Sequence, residues 1–125
     1  MALILVIDDD AFYRGVLRRI LEDGGHRVIE TEDGRLGMEL YRQHRPDVVV
    51  TDIFMPGMDG GEVIRALRAI DSRVKIVAVS AGGAFYDVEV LEMARKLGAA
   101  VILRKLDPKE RILSEIERIL AAKQT

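Results

Sequence analysis

Five short apolar segments alternate along the chain with five amphipathic ones. Residues 2–7 and 48–50 have no polar face, which is typical of strands in a parallel sheet that is covered by helices on both sides. Residues 75–79 and 100–104 are similar in length and character. Residues 26–30 have polar ends, which suits a strand at the edge of the sheet.

The amphipathic segments predict helices, because their apolar residues recur at helical spacing. One helix is expected to be capped by Asp33 and to run to about His44. The apolar stripes of the other four are Val16, Leu17, Ile20 and Leu21; Val63, Ile64, Leu67 and Ile70; Val90, Leu91, Ala94 and Leu97; and Ile112, Leu113, Ile116, Ile119 and Leu120.

Helix ends are marked by capping residues and glycines. Gly24-Gly25 and Gly98 are predicted to end the first and fourth helices. Asp107 is predicted to cap the last helix, with Pro108 in its first turn and Glu110 completing a capping box.

A strand followed by a helix therefore occurs five times. This alternation predicts an α/β fold with right-handed crossovers. The expected architecture is a doubly wound five-stranded parallel sheet of order 2-1-3-4-5, flavodoxin-like, with helices on both faces. We expect one domain over residues 1–125 and no effector domain.

Composition narrows the classes of function. The chain has 125 residues, of which 49% are hydrophobic and 32% charged, and this favours a globular domain. Its net charge of −2 argues against nucleic acid as a partner. The absence of cysteine excludes disulfides and thiolate chemistry. No apolar run is long enough for a membrane span or a signal peptide, so we expect a cytoplasmic protein.

Polar residues follow the strands at one edge of the predicted sheet. Asp8, Asp9 and Asp52 come after strands 1 and 3, which are neighbours in this order. Carboxylates about 4 Å apart repel by roughly 4 kcal/mol at an effective dielectric near 20, so a cation is expected to balance them. Such an oxygen set suits Mg²⁺. Ser80 and Lys105 follow strands 4 and 5, and the combined pattern predicts a site for a phosphoryl group carried by a carboxylate.

Taken singly, these residues have simpler interpretations. Asp10 is expected to cap the first helix. Asp8 and Asp9 alone could be turn acids, Ser80 a loop hydroxyl and Lys105 a surface charge. The order of acids, hydroxyl and lysine after successive strands favours the phosphoryl site.

The chain resembles response-regulator receiver domains of two-component signalling, of the single-domain chemotaxis-regulator type, over its whole length. The resemblance rests on four stretches, which are Val6-Ile7-Asp8-Asp9-Asp10; Pro46-Asp47 through Asp52-Ile53-Phe54-Met55-Pro56-Gly57-Met58-Asp59-Gly60; Ser80-Ala81; and Gly98-Ala99 running to Lys105.

The resemblance implies a signalling function rather than a metabolic enzyme. Asp52 would take a phosphoryl group from a histidine kinase or phosphotransfer protein in a Mg²⁺-dependent reaction, and a conformational change would then act on a downstream protein. Ser80 would bind the phosphoryl oxygens and Lys105 would pair with the phosphoryl group. The implied ligands of Mg²⁺ are Asp9, Asp52 and the carbonyl of Phe54, with Asp8 acting through water.

The chain departs from receivers at two positions. Leu106 stands where receivers usually have a cis proline after the lysine, and we predict a trans Lys105–Leu106 bond because a cis bond before a non-proline residue costs about 2.5–4 kcal/mol. Ile102 stands where receivers often have an aromatic switch residue. Since Ile102 is β-branched and has few rotamers, we expect the loop of residues 81–86 to carry more of the conformational change.

Three other functions would make different demands on the sequence. A phosphohydrolase with an aspartyl nucleophile would need a general acid two residues after Asp52, where Phe54 stands. A flavin-binding module would need a phosphate-binding loop after strand 1, where the aspartates would repel phosphate. The intact set of acids argues against a docking domain that has lost phosphorylation, but Leu106 leaves this alternative open. His26 and His44 have no metal-ligand spacing and are predicted to be surface residues.

Overall fold

A computed structural model describes the backbone of residues 1–53, 60–80 and 86–122, and the side chains of these residues other than 60 and 86–91. The strands and helices alternate from one end to the other. They are β1 (Leu3–Ile7), α1 (Ala11–Asp23), β2 (Arg27–Thr31), α2 (Gly34–His44), β3 (Val48–Asp52), α3 (Gly60–Ile70), β4 (Ile76–Ser80), α4 (Tyr86–Leu97), β5 (Val101–Arg104) and α5 (Lys109–Ala121).

The five strands form one parallel sheet in the order β2-β1-β3-β4-β5, which confirms the predicted fold class and strand order. β1 and β3 are hydrogen-bonded neighbours, with Ile7 opposite Thr51. β3 and β4 are also neighbours, with Asp52 opposite Val79. The residues that follow β1, β3 and β4 therefore emerge side by side at one edge of the sheet.

Two apolar layers cover the two faces of the sheet, because successive strand residues point to opposite sides. Val48 and Val50 lie in the layer shared with α1 and α5. Val49 lies in the layer shared with α2 and α3. All three valines are at most 3% exposed, so the wholly apolar β3 is explained by helices on both sides.

Helix starts and stops agree with the prediction at most ends. Asp10 and Asp33 cap α1 and α2 through their side chains. Gly98 follows α4 with φ of +120°, a backbone conformation that side chains rarely allow. The Lys105–Leu106 peptide bond is trans, as predicted.

The predicted capping box of α5 is wrong. Pro108 occupies the cap position, and it makes no side-chain hydrogen bond to the helix. The carboxylate of Asp107 instead accepts from the backbone N–H of Arg104 at 2.8 Å and lies 3.4 Å from Arg111. Asp107 is thus used to close the turn after β5, and its side chain is not available to the helix start.

The surface assignment of His26 is also wrong, whereas His44 is exposed as predicted. His26 is 7% exposed. Its Nδ1 accepts from the backbone N–H of Ala2 at 3.2 Å, and its Nε2 lies 2.7 Å from Glu117 Oε1. The ring therefore joins the start of β1 to α5, which is a tertiary role that local sequence does not reveal.

Candidate functional site

Three aspartates meet at the carboxyl edge of the sheet, where β1 and β3 end. Asp8 is 1% exposed and Asp52 is 4% exposed, whereas Asp9 is exposed. Each of the three carboxylates offers one oxygen atom, and these three oxygen atoms all lie within 4.8 Å of one another. The parallel pairing of β1 with β3 thus brings together residues that are more than 40 positions apart in sequence, as the sequence predicted.

The start of α1 holds this acidic turn in shape. Asp10 Oδ1 accepts from the backbone N–H groups of Phe12 and Tyr13, at 3.0 and 3.2 Å. The backbone N–H of Asp10 donates to Asp8 Oδ1 at 2.8 Å. The predicted capping role of Asp10 is confirmed, and Asp10 also orients the carboxylate of Asp8.

Lys105 joins the aspartates from β5. Its Nζ lies 3.1 Å from Asp52 Oδ2 and 3.2 Å from Asp8 Oδ2, and its side chain is 14% exposed. Burial opposes the charge of the ammonium group, but the two carboxylates outweigh burial and raise the pKa of Lys105 above its ordinary value. The lysine is therefore a fixed cation next to Asp52.

The side chains of Asp8, Asp52 and Lys105 converge because of strand alternation. Asp8 comes two residues after Val6, Asp52 two after Val50 and Lys105 two after Leu103. The three apolar residues that precede them lie in the layer shared with α1 and α5 (Val6, Val50 and Leu103). The charged residues continue the same face of the sheet, Asp52 as the last residue of β3 and Asp8 and Lys105 just past the ends of β1 and β5.

Asp8 has an unusual electrostatic environment. Burial is the largest influence and raises the pKa of Asp8 to about 6, and the nearby Asp52 adds to the rise. The Oδ2 atom of Asp8 is buried and has no hydrogen-bond partner among the described residues, although Lys105 lies close enough for an ion pair. A buried oxygen with spare capacity, beside two further carboxylates, fits a hard divalent cation such as Mg²⁺.

Ser80 lies on the next strand along the same edge. It is the last residue of β4 and is fully buried. Its carbonyl accepts from the backbone N–H of Lys105 at 2.9 Å, so β4 and β5 stay paired up to the lysine. Phe54, the other predicted site residue, lies outside the described residues.

Two contributors to the site were missed in the sequence. Tyr13 is 6% exposed, and its ring centroid lies 4.9 Å from Lys105 Nζ. Arg14 Nη1 donates to the carbonyl of Asp8 at 2.7 Å, and its Nε pairs with Glu30. Tyr13 lies four residues before Leu17 on the buried stripe of α1, so helical spacing could have found it.

A doubly wound sheet with carboxylates and a lysine at the carboxyl ends of its strands is the architecture of two-component receivers. The family model of the response regulator receiver domain matches residues 4–117, so the chain belongs to this family. Receivers are the phosphoacceptor signalling domains of two-component systems, which sets the chain apart from the phosphohydrolase and flavin-binding alternatives.

Named relatives agree with this assignment over nearly the whole chain. Chemotaxis protein CheY of Bacillus subtilis is 35% identical over 118 residues, which cover 94% of this chain and 96% of that protein. Protein PilH of Pseudomonas aeruginosa is 36% identical over 124 residues, covering 97% of this chain and 99% of that protein. Both relatives are similar to this chain in length as well as in sequence.

Solved structures agree as well. The chemotaxis protein CheY4 of Vibrio cholerae is 27% identical, with a TM-score of 0.86, and the match covers 95% of this chain and 98% of that one. A receiver domain protein of Clostridium thermocellum is 25% identical with a TM-score of 0.88, and covers 96% and 94%. Within the described residues, every helix is too short or too polar to cross a bilayer.

Proposed function

We propose that Asp52 is the phosphoacceptor of this receiver and takes its phosphoryl group from a histidine kinase or a histidine phosphotransfer protein. The observation that carries the proposal is the 3.1 Å distance between Asp52 Oδ2 and Lys105 Nζ, at a carboxylate that is 4% exposed. A buried nucleophile with a fixed cation beside it is suited to a reaction that gathers negative charge.

The transfer forms one bond and breaks one. An oxygen of the Asp52 carboxylate bonds to phosphorus while the bond from phosphorus to the donor's histidine nitrogen breaks. The electron pair of the broken bond stays on the imidazole, and the product is an acyl phosphate on Asp52. In this step Lys105 pairs with the charge on the phosphoryl oxygens, and the hydroxyl of Ser80 donates a hydrogen bond to one of them.

The proposed metal ligands are the carboxylates of Asp9 and Asp52 and the carbonyl of Phe54, with the carboxylate of Asp8 acting through water. The donor set consists only of oxygen atoms, and one carboxylate oxygen from each aspartate lies within 4.8 Å of the other two. The buried Asp8 Oδ2 also supports the proposal. When bound, Mg²⁺ supplies positive charge that offsets the charge of the transferring group. Asp8 and Asp9 hold this charge in place beside Asp52, because their strand and turn are fixed by α1.

The signal is proposed to leave through a change of conformation that a downstream protein recognises in the cytoplasm. Ser80 is buried at the end of β4 and is attached through its carbonyl to β5. Ile102 is partly buried in the layer shared with α2 and α3. The loop of residues 81–86, which we expect to carry much of the change, lies largely outside the described residues.

The test is phosphorylation by a small-molecule donor. We expect wild-type protein incubated with acetyl phosphate and Mg²⁺ to gain the mass of one phosphoryl group, and a chelator to prevent the gain. Asp52→Asn should gain none. Asp23→Asn is the matched control, because Asp23 is an exposed aspartate at the far end of α1, and it should behave as wild type.

Two results would refute the assignment. One is a phosphoryl group on Asp52→Asn at the wild-type rate. The other is an unmodified wild-type protein under conditions in which a known receiver is modified, which would favour a docking domain that works without phosphorylation.

A further inference from the structure

The ring of Tyr13 lies against the ammonium group of Lys105. The centroid of the ring is 4.9 Å from Lys105 Nζ. A cation within about 6 Å of a ring centroid, over the ring face, is attracted by the negative face of the π system. Both side chains are shielded from water, since Tyr13 is 6% exposed and the Lys105 side chain 14%, and shielding strengthens the attraction.

The position of Tyr13 is set by the same turn that carries the aspartates. Its backbone N–H donates to the capping carboxylate of Asp10 at 3.2 Å. Its side chain belongs to the apolar layer between the sheet and the helices α1 and α5. Tyr13 is thus fixed at its backbone by the cap and at its ring by the core.

The hydroxyl of Tyr13 does not explain why a tyrosine is present. It is buried and has no hydrogen-bond partner among the described residues. A buried hydroxyl without a partner destabilises a fold. Burial, with Asp8 next, also raises the pKa of Tyr13, so the phenol stays neutral. The contribution to the site therefore comes from the ring.

The geometry points to Tyr13 as a positioning residue that holds Lys105 for phosphoryl transfer. This inference rests on the proposed function. Lysine has a flexible four-carbon stem, and Lys105 can neutralise charge on the phosphoryl group only while its ammonium group stays beside Asp52. The carboxylates hold it on one side, and the ring holds it on another without occupying a carboxylate oxygen.

Two substitutions separate the ring from the hydroxyl. Tyr13→Phe keeps the ring and should retain the wild-type rate of phosphorylation by acetyl phosphate. Tyr13→Leu removes the ring, and we expect the rate to fall by about three- to tenfold, as the loss of a partly buried cation–π contact would give. A wild-type rate in Tyr13→Phe would show that the ring positions Lys105. A reduced rate in Tyr13→Phe would show that the hydroxyl is needed as a hydrogen-bond donor.

Tyr41 provides the matched control. It is a second tyrosine, 3% exposed, in the opposite apolar layer. Tyr41 donates its hydroxyl to Asp71 at 3.0 Å and lies away from the three aspartates of the site. Tyr41→Phe and Tyr41→Leu make the same substitutions outside the site, and both should keep the wild-type rate. An unchanged rate in Tyr13→Leu would overturn the inference, and so would an equal loss in Tyr13→Phe and Tyr13→Leu.

A measurement on the folded wild-type protein covers the case in which Tyr13→Leu does not fold or wild type is not phosphorylated. In a proton NMR spectrum, protons over the face of an aromatic ring resonate upfield. The ε-methylene signal of Lys105 can be assigned by its loss in Lys105→Arg. It should lie upfield of the ε-methylene signals of Lys75 and Lys109. It should stay there in Tyr13→Phe. A Lys105 signal at the position of the other lysines would overturn the inference. Absence of phosphorylation with an upfield signal would refute only the proposed function.

Discussion

At the level of single residues, Glu30 connects β2 to α1. Its carboxylate lies 2.6 Å from Arg18 Nε and 3.2 Å from Arg14 Nε, and its side chain is 27% exposed. The hydrogen bond from Arg18 is the largest influence and lowers the pKa of Glu30 below its ordinary value of 4.5. Because Arg14 also donates to the Asp8 carbonyl, this ion pair supports the turn that carries the site.

The lowered pKa predicts how stability depends on pH. A carboxyl group with a lower pKa in the folded chain contributes stability that is present above its ordinary pKa and is lost as the pH falls through its folded-state pKa. Glu30→Gln should therefore lower the free energy of unfolding at pH 7 by about 0.5–1 kcal/mol. The difference from wild type should shrink below pH 4.5, as measured by urea unfolding at several pH values.

Glu39→Gln is the control for this prediction. Glu39 is 60% exposed and pairs with Arg42 on the same helix, so its loss should cost at most about 0.5 kcal/mol. A Glu30→Gln protein that differs from wild type by the same amount at every pH would show that the ion pair does not have the role given to it.

Single residues were predictable where one local rule decides them. Asp10 and Asp33 were predicted to cap helices because an aspartate precedes an amphipathic run, and both do. Asp107 fits the same rule, but a competing hydrogen bond to Arg104 engages its carboxylate. His26 became buried through contacts with Ala2 and Glu117, and no local pattern encodes contacts between residues so far apart in sequence.

At the level of helices and strands, the packing of α2 on β1 depends on a glycine. Glycine is a poor helix former, and the structure gives a reason for Gly37. A Cβ atom at Gly37 would lie 2.5 Å from Ile7 Cδ1 and 3.1 Å from Ile7 Cγ1. Ile7 is fully buried, so it has little room to move. The absent side chain thus allows the helix to approach the strand.

A pair of glycine substitutions tests this packing. Gly37→Ala should lower the free energy of unfolding by about 1–2 kcal/mol, because overpacking outweighs the gain in helix propensity. Gly15→Ala should raise it by about 0.5–1 kcal/mol, since Gly15 is exposed on α1 and a Cβ there meets no atom within 4 Å. Thermal and denaturant unfolding measure both. A stabilised Gly37→Ala protein would contradict the close approach.

The elements themselves were predictable from the hydrophobic pattern, and their contacts were not. The five strands and five helices lie where the periodicity put them, with shifts of a residue or so at ends such as that of β2. The pattern could not show that Gly37 touches Ile7 or that Tyr13 touches Lys105. Such contacts depend on how two elements pack, and each element is compatible with several arrangements.

The strand order explains how the whole molecule concentrates charge at one place. Net charge is only −2, yet three of the acidic residues converge at the ends of β1 and β3. The repulsion of Asp52 by Asp8 and Asp9 exists mainly in the folded chain, because Asp52 is more than 40 positions away from them in sequence. A cation at the site should therefore stabilise the fold.

Mg²⁺ is accordingly predicted to raise the thermal unfolding midpoint. At about a hundred times its dissociation constant a ligand adds roughly 2.7 kcal/mol to stability. The rise should be much smaller in Asp9→Asn and unchanged in Asp23→Asn, which removes a carboxylate remote from the site. Differential scanning calorimetry over a Mg²⁺ series measures the effect. Equal rises in wild type and Asp9→Asn would exclude Asp9 as a ligand.

The overall fold and most of the site could be predicted because both follow from topology. Alternating strands and helices fix a parallel sheet, and a parallel sheet brings the residues after its strands to one edge. Asp8, Asp9, Asp52 and Lys105 meet there for that reason. The supporting contacts of Tyr13 and Arg14 depend on side-chain packing, and the sequence did not point to them.

The central claim is that the phosphoryl group is attached to Asp52, and chemical mapping of the modified residue tests it most directly. Borohydride reduces an acyl phosphate on aspartate to homoserine, so peptide sequencing by mass spectrometry identifies the modified position. After treatment with acetyl phosphate and Mg²⁺, we predict homoserine at position 52 and aspartate at positions 8 and 9. Homoserine at position 8 or 9, with Asp52 unchanged, would contradict the account.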